Sequence, residues 1–275
     1  MKVAIHQMCS GIDPENNIRA METAIFAASR EGAGFYFAPE MSVLLDRIAK
    51  RSARHVSAQG DDQYLGKLQN IAKAAGIWIN IGSLAVRSEK QPDKYANRSL
   101  VIDAAGRIVA GYDKVHLFDV QLDTGELWRE SSTYEAGTEA VVADTPLGRM
   151  GLSICYDLRF PDLYSSLANA KAQILAIPAA FTVPTGKAHW HSLLRARAIE
   201  STAFVVAAAQ SGAHEDGRET YGHSLVVDPW GEILLDMGEG EGLGFADIGL
   251  SRITEARSQV PVHLNRAEIG EAKLY

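Results

Sequence analysis

The sequence is poor in cysteine, with only Cys9 and Cys155 among its 275 residues. Two cysteines form at most one disulfide, and neither lies in a Cys-x-x-Cys pair. This usage argues against a secreted framework of disulfides and is typical of a reducing compartment. We therefore predict a cytoplasmic location.

Long apolar runs and an excess of positive charge are also lacking. No window approaches the roughly 20 apolar residues of a membrane span, and the opening MKVAIHQMCSG is too polar for a signal peptide. The net charge of −7 argues against a nucleic acid or an anionic membrane as partner. No linker or low-complexity segment divides the chain, so we predict a single domain over residues 1–275.

What the sequence does contain is an alternation of strand-like and helix-like segments. Residues 3–8 form a β-type run, and a helix with Asp13 as N-cap and Pro14 in its first turn follows. Further strands and helices alternate with hairpins, and Lys187–Ser201 is the last long predicted helix. The stretch from Val120 to Gly137 is predicted to be irregular. This order predicts an α/β layered fold.

The segment GLSICYDLRFP places a single thiol, Cys155, at the end of a short apolar strand. A strand–turn–helix junction there, with a helix predicted over Pro161–Asn169, would offer free backbone N–H groups that favour a thiolate, with Asp157 as a cap and Pro161 in the opening turn. A lone cysteine is more often a buried small hydrophobic residue, and that remains the interpretation of Cys9. Cys155 differs because of charged residues elsewhere in the chain.

Two other apolar segments also end in a charged residue. FYFAPEM delivers Glu40 and GYDKVHLFD delivers Lys114. Singly, each charge is typical of a surface or a helix cap. Together with Cys155 they supply a base, a cation and a nucleophile at strand ends, where sites gather in layered α/β proteins.

These three segments resemble the catalytic signatures of the nitrilase superfamily, the carbon–nitrogen hydrolases, and occur in the family's order. Glu130, in LWRESSTYEAG, aligns with a further glutamate typical of that family. The resemblance implies a four-layer α-β-β-α sandwich that forms a homodimer and needs neither metal nor organic cofactor. We expect the C-terminal tail, about residues 258–275, to pack at the dimer interface.

The resemblance also implies a role for each residue. Glu40 is expected to remove the proton of Cys155 and return it to the departing nitrogen. Lys114 and the backbone N–H of Tyr156 are expected to stabilise the tetrahedral oxyanion. The acyl group passes through a thioester that water hydrolyses, and Glu130 orients Lys114 and the incoming water or amide.

Within the superfamily, stretches such as YDLRFPDLY and YGHSLVVDPWG resemble the deaminated glutathione amidase branch. The substrate is then an anionic amide that yields α-ketoglutarate and cysteinylglycine. Omega-amidases, which cleave α-ketoglutaramate and α-ketosuccinamate, and N-carbamoyl amino acid hydrolases stay open as alternatives. A buried substrate carboxylate needs partners. Arg159 is the first choice of cation, although a helix-terminus salt bridge would suit it equally, and Thr182 and Thr185, in a predicted loop, are candidate donors.

Other constellations compete with this interpretation. A papain-like Cys–His pair is possible in principle, but no histidine is singled out, and His116 should point away from Lys114 on an extended segment. His189 and His191 form an HxH pair, yet on a helix they diverge by roughly 200°, which is poor for joint zinc ligation. A non-catalytic interaction protein on the same fold would be expected to have lost Glu40, Lys114 or Cys155.

Overall fold

The computed structural model describes residues 1–121, 125, 127–267 and 270–274. Its α-helices are α1 (Pro14–Arg30), α2 (Ala49–Ser52), α3 (Gln63–Ala75), α4 (Pro161–Asn169), α5 (Val183–Ser201), α6 (Ser251–Gln259) and α7 (Val262–Asn265). Its strands are β1 (Lys2–Gln7), β2 (Phe35–Phe37), β3 (Trp78–Asn80), β4 (Leu84–Arg87), β5 (Tyr95–Ile102), β6 (Ile108–Asp113), β7 (Asp119–Gln121), β8 (Leu127–Arg129), β9 (Val141–Thr145), β10 (Gly148–Leu152), β11 (Ile174–Ala176), β12 (Phe204–Ala207), β13 (Ser211–Ala213), β14 (Glu219–Tyr221), β15 (Leu225–Val227), β16 (Ile233–Asp236) and β17 (Gly242–Asp247).

The first helix begins as the sequence predicts. The Asp13 side chain accepts the backbone N–H of Glu15, and Pro14 lies in the first turn. Asp62 caps α3 in the same manner, and that helix ends at Gly76 in the left-handed conformation that glycine adopts without strain. These signals depend only on neighbouring residues, so they can be recognised without knowledge of the fold.

The strands form two large sheets. The first has the order β17-β1-β2-β3-β5-β4, with β6 paired to β5, and the second has the order β16-β15-β12-β11-β10-β9. Strands β1, β2 and β3 run parallel in the first sheet, and β10, β11 and β12 run parallel in the second. Two two-stranded hairpins, β7-β8 and β13-β14, lie outside both sheets.

Alternating side chains of the central strands divide the core into layers. Val3 and Phe35 pack with Leu152 and Ile174 of the second sheet, so one face of each sheet meets the other. The outer face of the first sheet is covered by α1 and α3, and the outer face of the second by α4 and α5. The α-β-β-α sandwich implied by the resemblance is therefore confirmed.

Two local predictions are wrong. The stretch predicted to be irregular contains the hairpin β7-β8, although residues 122–124 and 126 lie outside the described part of the chain. Helix α5 begins at Val183 rather than Lys187, because Pro184 is tolerated in a first helical turn. Gly186 is required there, since a Cβ atom would come within 2.3 Å of the Tyr221 ring.

In the described residues, every helix is too short or too polar to cross a membrane. Residues 268, 269 and 275 of the predicted interface tail lie outside this description. Before them, Arg266 donates hydrogen bonds to Ser165 and Asn169 of α4, which attaches the start of the tail to the outer helical layer.

Candidate active site

Cys155 stands on a strained turn just after strand β10. Its φ angle is +49°, in the left-handed region that costs a non-glycine residue about 1–3 kcal/mol. The turn is held because the Cys155 N–H donates to Pro178 O at 2.9 Å and the Ile154 N–H donates to Asp157 Oδ2 at 2.8 Å. The chain then forms a short 3₁₀ turn, Cys155–Arg159, and α4 begins only at Pro161. The helix predicted over Pro161–Asn169 is therefore confirmed, but a 3₁₀ turn separates its N-terminus from the thiol.

The electrostatic effect predicted for this junction differs from the structure. Burial raises the pKa of the Cys155 thiol well above its usual value, and the nearby carboxylate of Glu40 raises it further. The charge of Lys114 and the N–H of Ala180 act in the opposite direction without reversing the shift. The resting thiol is thus protonated at neutral pH and needs a base to become a nucleophile.

Glu40 follows β2 and is almost completely buried. Its Oε2 accepts the backbone N–H of Ala180 at 3.0 Å, and its Oε1 accepts Lys114 Nζ at 2.9 Å and Asn97 Nδ2 at 3.0 Å. The backbone carbonyl of Glu40 accepts Gln210 Nε2 at 2.9 Å. Three donors thus fix the orientation of this carboxylate, and a fourth holds the Glu40 backbone.

Lys114 joins two carboxylates inside the protein. Besides Glu40, its Nζ contacts Glu130 Oε1 at 3.1 Å and Oε2 at 2.9 Å, and the Phe118 N–H donates to Glu130 Oε2 at 2.7 Å. Burial alone would lower the pKa of Lys114, but the charges of Glu130 and Glu40 raise it well above its usual value. Lys114 therefore remains a cation, and the buried charges compensate one another.

The topology explains why these groups meet. Strand β6, which leads to Lys114, is antiparallel to β5, and β5 is antiparallel to β3, so β6 runs in the direction of β2. The carboxyl ends of β2 and β6 therefore lie at one edge of the first sheet. Cys155 reaches the same place from the carboxyl end of β10 in the second sheet.

Asp157 connects the two segments that carry Lys114 and Cys155. Its buried carboxylate accepts the Tyr112 hydroxyl at 2.6 Å, the His116 backbone N–H at 3.0 Å and the Ile154 N–H at 2.8 Å. His116 Nδ1 lies 2.7 Å from Asp157 Oδ1, so this histidine is engaged there rather than with the thiol. Asp157 thus ties the end of β6 to the turn after β10.

A cavity of about 610 Å³ contains these groups. Every predicted site residue contributes to its lining: Glu40, Lys114, Glu130, Cys155, Tyr156, Arg159, Thr182 and Thr185. Among the described residues that line it there is no histidine, which disfavours the papain-like alternative. The residues around the cavity contain a thiol, a buried carboxylate beside it and a buried cation, which suffices for acyl transfer.

Arg159 is a cation in the cavity wall with no carboxylate partner in the described part of the chain. Its guanidinium lies 5.4 Å from the Phe181 ring centroid, and Nη1 lies 3.1 Å from His189 Nδ1. The helix-terminus salt bridge is therefore not formed. Thr182 and Thr185 are hydrogen-bonded to each other at 2.8 Å; Thr182 precedes α5 as its N-cap, whereas Thr185 lies in the first turn of the helix and not in a loop as predicted.

Sequence reasoning missed several residues around the cavity. Asn97 is buried in β5 and donates to both Glu40 and Glu130; a polar side chain in an apolar strand was the available signal. Arg47, Arg129 and Arg218 line the outer part of the cavity, and Arg218 lies over the Trp128 ring while paired with Asp216. Arginines in short polar segments are common at protein surfaces, so these three carry no such signal.

The HxH pair on α5 is split between different partners. His189 lies beside Arg159, whereas His191 Nε2 contacts Asp236 Oδ2 at 3.0 Å. The divergence expected of i and i+2 helix positions is thus observed.

Comparisons with known proteins find relatives over nearly the whole chain. Residues 2–258 match the family model described as carbon-nitrogen hydrolase. The chain is 40% identical to a Yersinia enterocolitica protein named deaminated glutathione amidase, over 94% of this chain and 91% of that one.

Solved structures are similar over the same range. The crystal structure of the C. elegans NitFhit protein gives a TM-score of 0.89 and 39% identity over 96% of this chain, which spans 64% of that chain. A glutamate-to-glutamine variant of the amidase from Nesterenkonia sp. AN1 gives a TM-score of 0.77 and 25% identity, covering 96% of this chain and 99% of that one. That structure contains the product of Michael addition of acrylamide at its active site cysteine.

Proposed function

The chain belongs to the carbon–nitrogen hydrolase family, and on that premise we propose that it hydrolyses deaminated glutathione to α-ketoglutarate and cysteinylglycine through a Cys155 thioester. The observation that carries the proposal is the convergence of Cys155, Glu40 and Lys114 on one cavity, with Lys114 Nζ held 2.9 Å from Glu40 Oε1. Relatives at about 40% identity that carry the amidase name support the choice of substrate.

In the first step, Glu40 takes the proton of Cys155 as the sulfur attacks the amide carbon. Because the pKa of the thiol is raised by burial and by Glu40, thiolate forms only as the S–C bond develops. The C–N bond then breaks, and Glu40 returns its proton to the departing nitrogen of the cysteinylglycine. Glu40 needs no additional partner for this exchange, since Ala180 and Lys114 already hold its oxygens in place.

The tetrahedral intermediate carries an oxyanion that Lys114 and the Tyr156 backbone N–H stabilise. The pKa of Lys114 is raised, so the ammonium persists at working pH. Within the described residues the Tyr156 N–H has no acceptor, which leaves it available to the oxyanion. Preorganised donors of this kind are each worth about 3–4 kcal/mol of transition-state stabilisation in other acyl transferases.

Hydrolysis of the thioester repeats the same proton transfers with water as nucleophile. Glu40 removes a proton from water, the C–S bond breaks, and the sulfur recovers its proton from Glu40. Glu130, bonded to Lys114 and to the Phe118 N–H, keeps the ammonium directed at the reacting carbonyl. Neither a metal nor an organic cofactor takes part in this scheme.

The substrate side of the cavity suits an anionic amide. Arg159 has no acidic partner among the described residues and is proposed to bind the α-keto carboxylate in a charge-assisted contact. Next to Arg159, the Tyr156 ring packs edge-to-face against Phe118 and Phe160. Thr182 and Thr185 offer hydroxyl donors.

We further propose that the protein is a cytoplasmic homodimer and a single catalytic domain, with the tail of about residues 258–275 at the dimer interface. Exposed apolar side chains support an interface on the outer helical layer. Ile199 of α5 lies against Gly231, and the adjoining segment exposes Trp230, Ile233 and Leu234. Sedimentation at about twice the 29.8-kDa chain mass is the expected result.

The test is a steady-state assay on four substrates: deaminated glutathione, α-ketoglutaramate, an N-carbamoyl amino acid and a simple nitrile. Purified Cys155→Ala protein serves as the blank. We expect kcat/KM for deaminated glutathione to exceed the others by roughly tenfold or more, a difference of about 1.4 kcal/mol in transition-state binding. A preference for α-ketoglutaramate would instead identify an omega-amidase, and equal activity of wild type and Cys155→Ala would refute the mechanism.

A further inference from the structure

A second group of ligand-type side chains lies outside the cavity. His191 of α5, His223 after β14 and Asp236 at the end of β16 each offer one ligand atom, and these atoms all lie within 4.8 Å of one another. His191 Nε2 lies 3.0 Å from Asp236 Oδ2, and His223 Nδ1 lies 2.9 Å from Asp236 Oδ1. The proposed reaction uses none of these three residues.

The separations among these side chains are compatible with a tetrahedral metal site after small movements. Zinc lies about 2.0–2.2 Å from histidine nitrogen and carboxylate oxygen, which places neighbouring ligand atoms about 3.3 Å apart. The two nitrogen–oxygen separations of 3.0 and 2.9 Å are already near this value. The two histidines contact different oxygens of Asp236, and the three ligand atoms lie within 4.8 Å of one another, so movements of up to about 1.5 Å bring them to the spacing of a metal site.

The backbone of the second histidine is fixed in an uncommon conformation. His223 has a φ of +53°, its N–H donates to Gly238 O at 2.7 Å, and its carbonyl accepts Trp190 Nε1 at 2.7 Å. The Tyr221 ring stacks on the imidazole with centroids 4.4 Å apart. The Gly238 N–H also donates to Asp236 Oδ1 at 2.9 Å. Contacts around the ligands of this kind are what orient them in metal sites.

We propose that His191, His223 and Asp236 bind a divalent transition-metal ion, with Zn²⁺ as the preferred ion. Two imidazoles and a carboxylate are a donor set that zinc accepts, and three protein ligands leave a fourth position for water. The ion replaces the two hydrogen bonds to Asp236, so the imidazole protons reside on His191 Nδ1 and His223 Nε2. The side chains of His191, His223 and Asp236 keep exposures of 32%, 22% and 33%, which gives the ion a path from solvent.

A metal ion bound by His191, His223 and Asp236 would link α5, β14 and β16 next to the cavity. Tyr221, stacked on His223, also packs against Gly186 in the first turns of α5. The same end of α5 supplies Thr182 and Thr185 to the cavity. The ion would thus be structural, holding α5 against β14 and β16 without touching the reacting atoms.

The test uses protein stripped with EDTA, in a Cys9→Ser/Cys155→Ala background so that no thiol competes for metal. Isothermal titration calorimetry with ZnCl₂ alone should give one binding site per chain. Thermal unfolding of the zinc-loaded protein should give a higher Tm than that of the stripped protein. In His191→Gln, His223→Gln and Asp236→Asn we expect the Kd to weaken by more than roughly tenfold, since even residues that only orient ligands change affinity by that factor. His189→Gln, two residues away on the same helix, is the matched control for binding and should keep the wild-type Kd.

Wild-type affinity in His191→Gln, or no binding by the starting protein, would overturn the proposal in favour of a histidine–carboxylate cluster that needs no ion. If a variant fails to fold, X-ray absorption of the zinc-loaded starting protein decides instead. Two imidazole ligands support the site, and fewer than two overturn it. Because the readout is binding in a background without Cys155, the outcome is independent of the proposed hydrolysis.

Discussion

Asn97 Nδ2 and Lys114 Nζ donate to the same atom, Oε1 of Glu40, at 3.0 and 2.9 Å. Asn97 Nδ2 also lies 3.3 Å from Glu130 Oε1. In addition, the backbone N–H of Lys114 donates to the backbone carbonyl of Asn97 at 2.9 Å. Asn97 thus positions both carboxylates through its side-chain amide and the backbone of Lys114 through its main-chain carbonyl. The Asn97 Oδ1 atom has no hydrogen-bond partner in the described structure, so the side chain is held by its donor end alone.

Replacing Asn97 with leucine removes a donor to a charged group, worth about 1.5–3 kcal/mol. We expect kcat to fall roughly 10- to 150-fold with a smaller change in KM. Asn97→Asp adds a third carboxylate, which raises the pKa of its neighbours and moves the acid limb of the kcat/KM profile to higher pH. Steady-state kinetics across pH measure both effects, and an Asn97→Leu enzyme with wild-type kcat would show that this amide has no positioning role.

Glu40→Gln should abolish turnover and yet make Cys155 easier to ionise. Burial still raises the pKa of the thiol, but the added contribution of the Glu40 charge disappears while Lys114 remains. The pH midpoint for alkylation of Cys155 by iodoacetamide should therefore lie above the ordinary thiol value of about 8.5 in the wild type and move lower in the variant. Peptide mapping separates Cys155 from Cys9, and an upward shift would contradict the arrangement.

Arg159→Gln should reduce kcat/KM for anionic amides by roughly 10- to 150-fold, the effect of losing one charge-assisted hydrogen bond. Arg159→Lys keeps the charge but not the planar donor pair, and should recover only part of the loss. Arg195→Gln is a suitable comparison, since that arginine donates to Gly231 O and does not line the cavity. If Arg159→Gln reduced kcat/KM for a neutral amide by the same factor, Arg159 would not recognise the substrate carboxylate.

Asp157→Ala should both destabilise the protein and slow the reaction. It leaves buried donors of Tyr112, His116 and Ile154 without their acceptor, at about 1–3 kcal/mol for each group. We expect the free energy of unfolding in urea to fall by about 3 kcal/mol or more. The turn carrying Cys155 loses its anchor as well, so kcat should fall even where the variant is fully folded.

Acid should weaken the ion pair between Asp216 and Arg218, a residue that lines the cavity. Burial alone would raise the pKa of this carboxyl, but hydrogen bonds and charge from Arg218 lower it below its ordinary value. A carboxyl whose pKa is lowered on folding stabilises the folded state at pH values above its pKa in the unfolded chain, which is about 3.9. This stabilisation is lost as the pH falls through the pKa of the folded state. Asp216→Asn should thus be less stable than wild type at pH 7, and the difference in unfolding free energy should shrink at and below pH 4.

The sequence predicts the catalytic candidates better than their surroundings, for physical reasons. Glu40, Lys114 and Cys155 each end an apolar segment, and the ends of aligned strands meet at one edge of a sheet. Asn97 lies within a strand, and only the three-dimensional pairing of β5 brings it between the carboxylates. The start of α5 was missed because Pro184 and Gly186 are typical of a loop, whereas here the glycine is required by the approach of Tyr221. The thiol's raised pKa comes from burial between two sheets, which no local pattern reports.

The first and last strands of the sandwich are neighbours, with Lys2 of β1 opposite Asp247 of β17. During synthesis on the ribosome, β1 therefore keeps an unpaired edge until Gly242–Asp247 has emerged. Glu40 and Lys114 leave the tunnel early, but Cys155 belongs to the other sheet and joins them only when the two sheets dock. The nascent chain consequently carries its base and cation apart from its nucleophile. The edge of β1 is therefore covered only after the segments that carry Glu40, Lys114 and Cys155 have all been synthesised.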